Sequence, residues 1–202
     1  MRNSLIYIPC FLLMAGMVSW HCGPASPKSL NPQVVIETNF GTIVAEVDTQ
    51  RAPLSAGTFL KYVEEGLYEN ASFYRILSED NQPMGTDAAR LIQGGIYRKK
   101  DAPDSLPGIR HESTQLTGIL HERGTLSLAR QDTGTASSEF FICIDKQPGF
   151  DYGGNNNADG QGYAAFGKVV EGMEVVMDIF KQKENSQLFT PPITIKKIRR
   201  KP

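Results

Sequence analysis

Four short segments carry side chains able to act together on a polar bond beside an apolar group. They are Phe73-Tyr74-Arg75-Ile76, Gln93-Gly94-Gly95, the run Gly124-Thr125-Leu126-Ser127-Leu128-Ala129-Arg130, and Ser138-Glu139-Phe140-Phe141-Ile142. Arg75 is a permanent cation with several rigidly placed N–H donors, set here among apolar, strand-forming neighbours. Followed by a glutamine and a pair of phenylalanines, it reads as a donor beside a pocket for one apolar residue, with an adjoining amide to polarise.

Such a site needs a scaffold, and composition limits the choice. The chain has 202 residues, a formal net charge of -1 and 40% hydrophobic residues, which suits one ordinary domain with a full core. No charge run points to nucleic acid. The only local basic excess is Lys196, Lys197, Arg199, Arg200 and Lys201, which reads as a solvated strand edge or tail.

The amino terminus reads separately. Arg2 precedes an apolar stretch from Leu5 to Trp20, and His21 to Pro32 contains Pro, Ser and Gly. This pattern gives a signal peptide or anchor over residues 1–25, a linker over 26–32 and one domain over 33–202. The expectation is export, with a periplasmic protein either free or held on the membrane. Three endings of the leader stay open: cleavage near Gly23-Pro24-Ala25, a lipid on Cys22, or an uncleaved anchor, against which Pro9 and the modest length speak. Cys10 and Cys22 lie in this leader. Cys143 is left alone inside the apolar run Phe140 to Ile144, so it reads as a buried, inert thiol with no disulfide partner in the domain.

Along the domain, Val34–Glu37 and Thr42–Val47 flank Asn39-Phe40-Gly41 and read as a hairpin. Ala52-Pro53 opens a segment with Leu54, Phe59, Leu60 and Val63 at helical spacing, and Gly66 is placed to end it. Short strands follow at Ser72–Leu77, Leu91–Gln93, Gly124–Ala129, Glu139–Ile144 and Ala164–Val169. A second helix from near Gly172 puts Val175, Val176 and Ile179 on one side, and Ile193–Ile198 alternates as a last strand. Many short strands with two helices predict a mainly β fold, a closed antiparallel barrel capped at its ends.

The ordered motifs, together with Gly162-Tyr163-Ala164-Ala165-Phe166-Gly167-Lys168-Val169, resemble the cyclophilin-type peptidyl-prolyl cis-trans isomerases, especially bacterial exported ones. The resemblance spans roughly residues 33 to 200. It implies an eight-stranded barrel closed by two helices, with the site in a groove on its outer face. It also implies proline-containing polypeptides as partners, a monomer, and no need for a cofactor, metal, nucleotide or covalent nucleophile.

By the same resemblance Arg75 is the catalytic donor and Phe141 the floor of the proline pocket. Leu91 and Phe150 line the pocket, and Tyr163 forms an aromatic wall. Gln93 and the backbone of Ala129 and Arg130 hold the peptide. Phe140 and Phe141 must point to opposite faces of their strand, so Phe140 is assigned to the barrel core.

The chain departs from the better-known pattern at several places. Gly149 stands where many members have tryptophan, Arg90 where an aromatic is usual, and Tyr163 where a histidine is common. The stretch Leu77 to Ala89 is an insertion that reads as a surface loop. Glu139 replaces a neutral glutamine, and a carboxylate there is expected either to pair with Arg75 or to compete with substrate for it.

Other chemistries fail on spacing. His111-Glu112 and His121-Glu122 lack a second histidine at Gln115 or Thr125, as a zinc-protease helix requires. Asn155-x-Asn157-x-Asp159-Gly160 begins like a calcium loop, but its twelfth position is Phe166 rather than a bidentate glutamate. Asp132, Ser127 and the histidines lack a nucleophile elbow. Two function classes remain: an isomerase of X-Pro bonds, and a module that holds proline-containing segments without turnover. Arg75, Gln93 and Phe141 favour the enzyme.

Overall fold

The computed structural model describes residues 30–83 and 88–202. The expected leader, most of the linker and the middle of the 77–89 insertion lie outside them. The elements run β1 Gln33–Thr38, β2 Thr42–Val47, α1 Pro53–Glu64, β3 Ala71–Leu77, β4 Leu91–Gly95, α2 Thr114–Thr117, β5 Thr125–Leu128, β6 Phe140–Cys143, β7 Ala164–Glu171, α3 Met173–Phe180, β8 Glu184–Asn185 and β9 Leu188–Arg200.

All strand pairs are antiparallel, in the order β1-β2-β7-β5-β6-β4-β3-β9, and β9 pairs back onto β1. Eight strands thus close on themselves and leave no open edge. The two-residue β8 hangs on β9 as a small hairpin. The mainly β barrel read from the sequence is therefore the observed fold.

Closure makes one side of every strand a core face. Phe73, Phe140 and Phe166 point inward from β3, β6 and β7, where they meet Phe59 of α1 and Tyr68. Phe59 lies 5.0 Å from Phe166, 5.3 Å from Tyr68 and 5.4 Å from Phe140, ring centre to ring centre. These are tilted and edge-on packings, which suit the charge distribution of aromatic rings. The helix is in this way a plug with an aromatic tip. Val176 and Ile179 of α3 join the same core.

The start of α1 shows how distant sequence completes a local element. Ala52 offers no side-chain cap, and Pro53 has no N–H to satisfy. The Glu112 carboxylate, only 7% exposed, accepts instead from the N–H groups of Leu54 at 3.1 Å and Ser55 at 2.7 Å. A negative charge at a helix N-terminus is also favoured by the helix dipole. Gly66, at φ 71°, follows the helix end as expected.

Three details differ from the sequence reading. A one-turn helix, α2, adds to the expected two, because four residues are too few for a periodic signal. The last strand begins at Leu188 rather than Ile193, since Pro191 and Pro192 mask its start. Leu54 is on the outer side of α1 and exposed, while Ser55 and Ala56 face the core.

Candidate active site

Barrel pairing sets Arg75, Gln93, Phe141 and Ser127 in one row across β3, β4, β6 and β5. Neighbouring strands are about 4.8 Å apart, so the backbones of Arg75 and Phe141 stand about 10 Å from each other. At that separation Arg75 and Phe141 flank Gln93 in the same row of the sheet. Alternation along β6 does the sorting: Phe140 belongs to the barrel core, and Phe141 to a second apolar cluster.

This second cluster comprises Ala89, Leu91, Phe141, Cys143 and Phe150, with Leu77, Ala129 and Tyr163 packed against it. Phe141, Phe150 and Tyr163 form a triangle with centres 5.2 to 5.4 Å apart and rings 73° to 84° from parallel. Each edge-to-face contact restrains the next, so the three rings form a preformed apolar wall. The Tyr163 N–H donates to the Phe150 carbonyl at 2.9 Å, which ties the 3-10 turn at Pro148–Phe150 to the start of β7. Burial pushes the Cys143 thiol up, consistent with an inert packing residue.

Beneath Phe141 lies a residue that the sequence reading did not place. The His121 ring is parallel to Phe141 within 16°, centre to centre 6.0 Å, and is 1% exposed. Its Nδ1 is 2.7 Å from Asp151 Oδ1 and its Nε2 is 2.9 Å from Ser127 Oγ. A serine, a histidine and an aspartate therefore do align. Ser127 is wholly buried, however, so the alignment has no route to an acyl substrate and acts as a support beneath Phe141.

Arg75 owes its direction to a bulge. Register slips between Phe73 and Arg75 against β4, where Tyr74 is the extra residue, and against β9, where the extra residues lie on β9. A bulge re-aims side chains, and here Tyr74 and Arg75 both reach Gln93. Arg75 Nη1 donates to Gln93 Oε1 at 3.2 Å. From the other side, Gln187 Oε1 accepts from Arg75 Nη2 at 2.9 Å and Nε at 3.3 Å. Gln187 sits at φ 70° in the β8–β9 turn, and its Nε2 donates to the Asn81 carbonyl at 3.0 Å. Among the described residues these amide oxygens hold the guanidinium, which keeps its positive charge available rather than neutralised by a carboxylate.

Glu139 does neither thing expected of it. Its Oε1 accepts from the N–H groups of Ile96 at 2.8 Å and Tyr97 at 3.1 Å and from the Ser138 hydroxyl at 3.2 Å. The physical reason is the glycine pair after Gln93. A Cβ on Gly95 would meet the Glu139 carboxylate at 2.5 Å, and a Cβ on Gly94 would meet Phe73 at 2.7 Å. Gly95, at φ 150°, thus opens a slot, and two successive backbone N–H groups line it as an anion nest. Burial, the largest influence, raises the Glu139 carboxyl above the usual range, and its hydrogen bonds only partly offset this.

Arg130 also differs from expectation. Its role was read as backbone alone, yet its side chain is 2% exposed. It grips Asp159 with two bonds of 2.8 Å, donates to the Gly162 carbonyl and lies 5.6 Å from the Tyr163 ring centre. These bonds hold the Asp159 carboxyl well below the usual carboxylate range and fix the loop that carries Tyr163. The Ala129 N–H is taken by the Glu139 carbonyl at 2.8 Å, so that donor is not open to a peptide. Arg90, outside the apolar cluster, pairs with Asp145 at 2.7 Å and lies over the Phe180 ring. The described part of the insertion is clipped by Gln82, whose amide bonds both the N–H and the carbonyl of Ala89.

With this barrel and this row of side chains in view, the family is clear. Residues 33–200 match the family described as cyclophilin type peptidyl-prolyl cis-trans isomerase/CLD, and the chain belongs to it. Its enzyme class is that of the peptidyl-prolyl cis-trans isomerases. The chain is 33% identical over 167 residues to peptidyl-prolyl cis-trans isomerase A of Dickeya dadantii, covering 80% of this chain and 78% of that protein. It is 31% identical over 151 residues to peptidyl-prolyl cis-trans isomerase B of Escherichia coli K12, covering 71% and 80%. A crystal structure of a Cryptosporidium parvum cyclophilin-type isomerase, in the presence of the dipeptide Ala-Pro, superposes with a TM-score of 0.65. It is 22% identical and covers 84% of this chain and 99% of its own.

Proposed function

We propose that Arg75 donates a hydrogen bond to the prolyl nitrogen of a bound X-Pro bond as it twists, while Phe141, Leu91, Phe150 and Tyr163 receive the proline ring. Amide resonance sets the uncatalysed barrier at about 18–20 kcal/mol. In the twisted transition state that resonance is lost and the lone pair gathers on nitrogen. A donor aimed there favours the transition state over the ground state.

The observation that carries this reading is the row itself: a guanidinium fixed from two sides by amide oxygens, two strands away from a tightly packed aromatic cluster. A charge-assisted hydrogen bond is worth about 1.5–3 kcal/mol, or about one to two decades in rate. The apolar wall supplies the remainder by positioning the proline and excluding water from the twisting bond. The Arg130 backbone and the Ala129 carbonyl are the main-chain groups left to hold the peptide. The partner is a proline-containing polypeptide, recognised through its ring and backbone, which agrees with the Ala-Pro named for the Cryptosporidium parvum crystal.

The apolar leader supports a role outside the cytoplasm, on exported proteins whose folding waits on prolyl isomerisation. Refolding of a protein with such a slow phase tests this. The native chain should speed the phase and Arg75→Ala should not; no acceleration by the native chain removes the folding role. Intact mass from the native membrane fraction decides between cleavage and a lipid on Cys22.

A further inference from the structure

Phe150 has no strand to hold it. Phe141 is fixed by its place on β6, but Phe150 sits on the 3-10 turn Pro148–Phe150, outside the strands of the barrel. The Tyr163 bond holds the middle of this turn, and His121 holds both of its ends. Ahead of the turn, the His121 carbonyl accepts from the Gln147 N–H at 2.7 Å. Behind it, Asp151 Oδ1 accepts from the His121 backbone N–H at 3.0 Å and from its Nδ1 at 2.7 Å.

The ring ties this clamp to the sheet. A carboxylate only accepts, so Nδ1 carries a proton, and Nε2 is left to meet Ser127 Oγ at 2.9 Å. Ser127 lies on β5 directly opposite Phe141. With both nitrogens engaged, the plane of the imidazole is set. All three rings of the aromatic wall converge on it: Phe141 parallel at 6.0 Å, Phe150 edge-on at 5.7 Å and Tyr163 edge-on at 6.5 Å, centre to centre. The His121 side chain is wholly buried, so it acts only through these neighbours.

We propose that His121 is a positioning residue for the proline pocket: it sets the Phe150 turn against Phe141 and so fixes how firmly the proline ring is held. Binding groups are precise only when a supporting shell locks them, and here one buried residue locks the ring that no strand carries. The consequence is a split between binding and chemistry. Arg75 is held elsewhere, by Gln93 and Gln187, so a loosened clamp weakens the grip on proline and leaves the donor in place. The proposal rests on Phe141, Phe150 and Tyr163 as the wall that receives the proline, and adds what keeps them in register.

Replacing the buried His121 endangers the fold, so the test is made at Asp151, whose side chain is 18% exposed. Alanine there removes the acceptor behind the turn, while asparagine keeps an oxygen to accept the same two bonds. KM and kcat for cis-to-trans conversion of a short X-Pro peptide are measured separately. Asp151→Ala should raise KM by about five- to tenfold with kcat within about twofold, and Asp151→Asn should stay within about twofold of the native KM. A merely structural role would lower the folded fraction, which lowers the apparent kcat and leaves KM alone. An unchanged KM in Asp151→Ala therefore overturns the proposal whatever kcat does, and so does an equal rise in KM for both variants. Phe141→Ala run alongside separates the two readings. A loss of kcat/KM there with an unchanged KM in Asp151→Ala leaves the wall standing and removes the clamp, and no loss in Phe141→Ala removes both.

Discussion

Gln187 holds Arg75 across 112 residues of sequence, its side-chain oxygen accepting two guanidinium N–H groups at once. It is anchored in turn: its N–H donates to Glu184 Oε2 at 2.7 Å and its carbonyl accepts from the Ile76 N–H at 2.9 Å. The hairpin of β8 and β9 thus serves as a bracket for Arg75, the proposed donor.

Gln187→Asn tests the bracket. Asparagine tolerates the positive φ at this turn and keeps an amide, but it is one methylene short of Arg75. Loss of one such contact predicts a fall in kcat/KM of about three- to tenfold, with the melting temperature nearly unchanged. An unaltered kcat/KM would show that Gln93 suffices.

Phe140 and Phe141 are adjacent and both buried, yet they should respond differently. Phe140→Ala empties the space beside Phe59, Tyr68 and Phe73 and should cost about 3–5 kcal/mol in denaturant unfolding. Phe141→Ala opens the groove floor, and its main effect should be on turnover, about 10- to 100-fold in kcat/KM. Comparable losses of activity per unit of stability in the two variants would contradict the separation of core from pocket.

Glu139 gives stability a pH dependence of known sign. Burial raises its folded carboxyl above the unfolded value, so the folded state keeps the proton to higher pH. Stability from this group is therefore present at acid pH and falls as pH rises from the unfolded value through the raised folded one. Urea unfolding at a series of pH values should show Glu139→Gln gaining on the native chain from acid to neutral pH. A constant difference would contradict the buried, raised carboxyl.

The cap of α1 offers a test far from the site. Glu112→Ala leaves the N–H groups of Leu54 and Ser55 without their carboxylate, and should cost about 1.5–3 kcal/mol of stability while X-Pro turnover of the folded protein is retained. A variant as stable as the native chain would show that water replaces the carboxylate freely.

Much of this was readable before the fold. The alternation of Val34–Glu37 and Thr42–Val47, and the placement of Phe140 inward and Phe141 outward, follow from the period of two along a strand. Phe141, Leu91, Phe150 and Tyr163 meet in one cluster because each lies on or beside a barrel strand. Gln187, His121 and Glu112 carried no local signal, since each acts on a partner distant in sequence. Glu139 was misread for a related reason: its type announced a charge near Arg75, but the slot it fills exists only because Gly95 lacks a side chain. A signal for Tyr74 was present in Phe-Tyr-Arg, and only the bulge reveals that the tyrosine and the arginine share a face.

The most direct test is the exchange rate of a short X-Pro peptide at saturating and sub-saturating enzyme, read by NMR for the native chain and for Arg75→Ala. With the aromatic pocket intact, the variant should still bind the peptide, while catalysed exchange falls by about 10- to 100-fold. Equal exchange rates for the two proteins would contradict the assignment of Arg75 as the donor to the prolyl nitrogen.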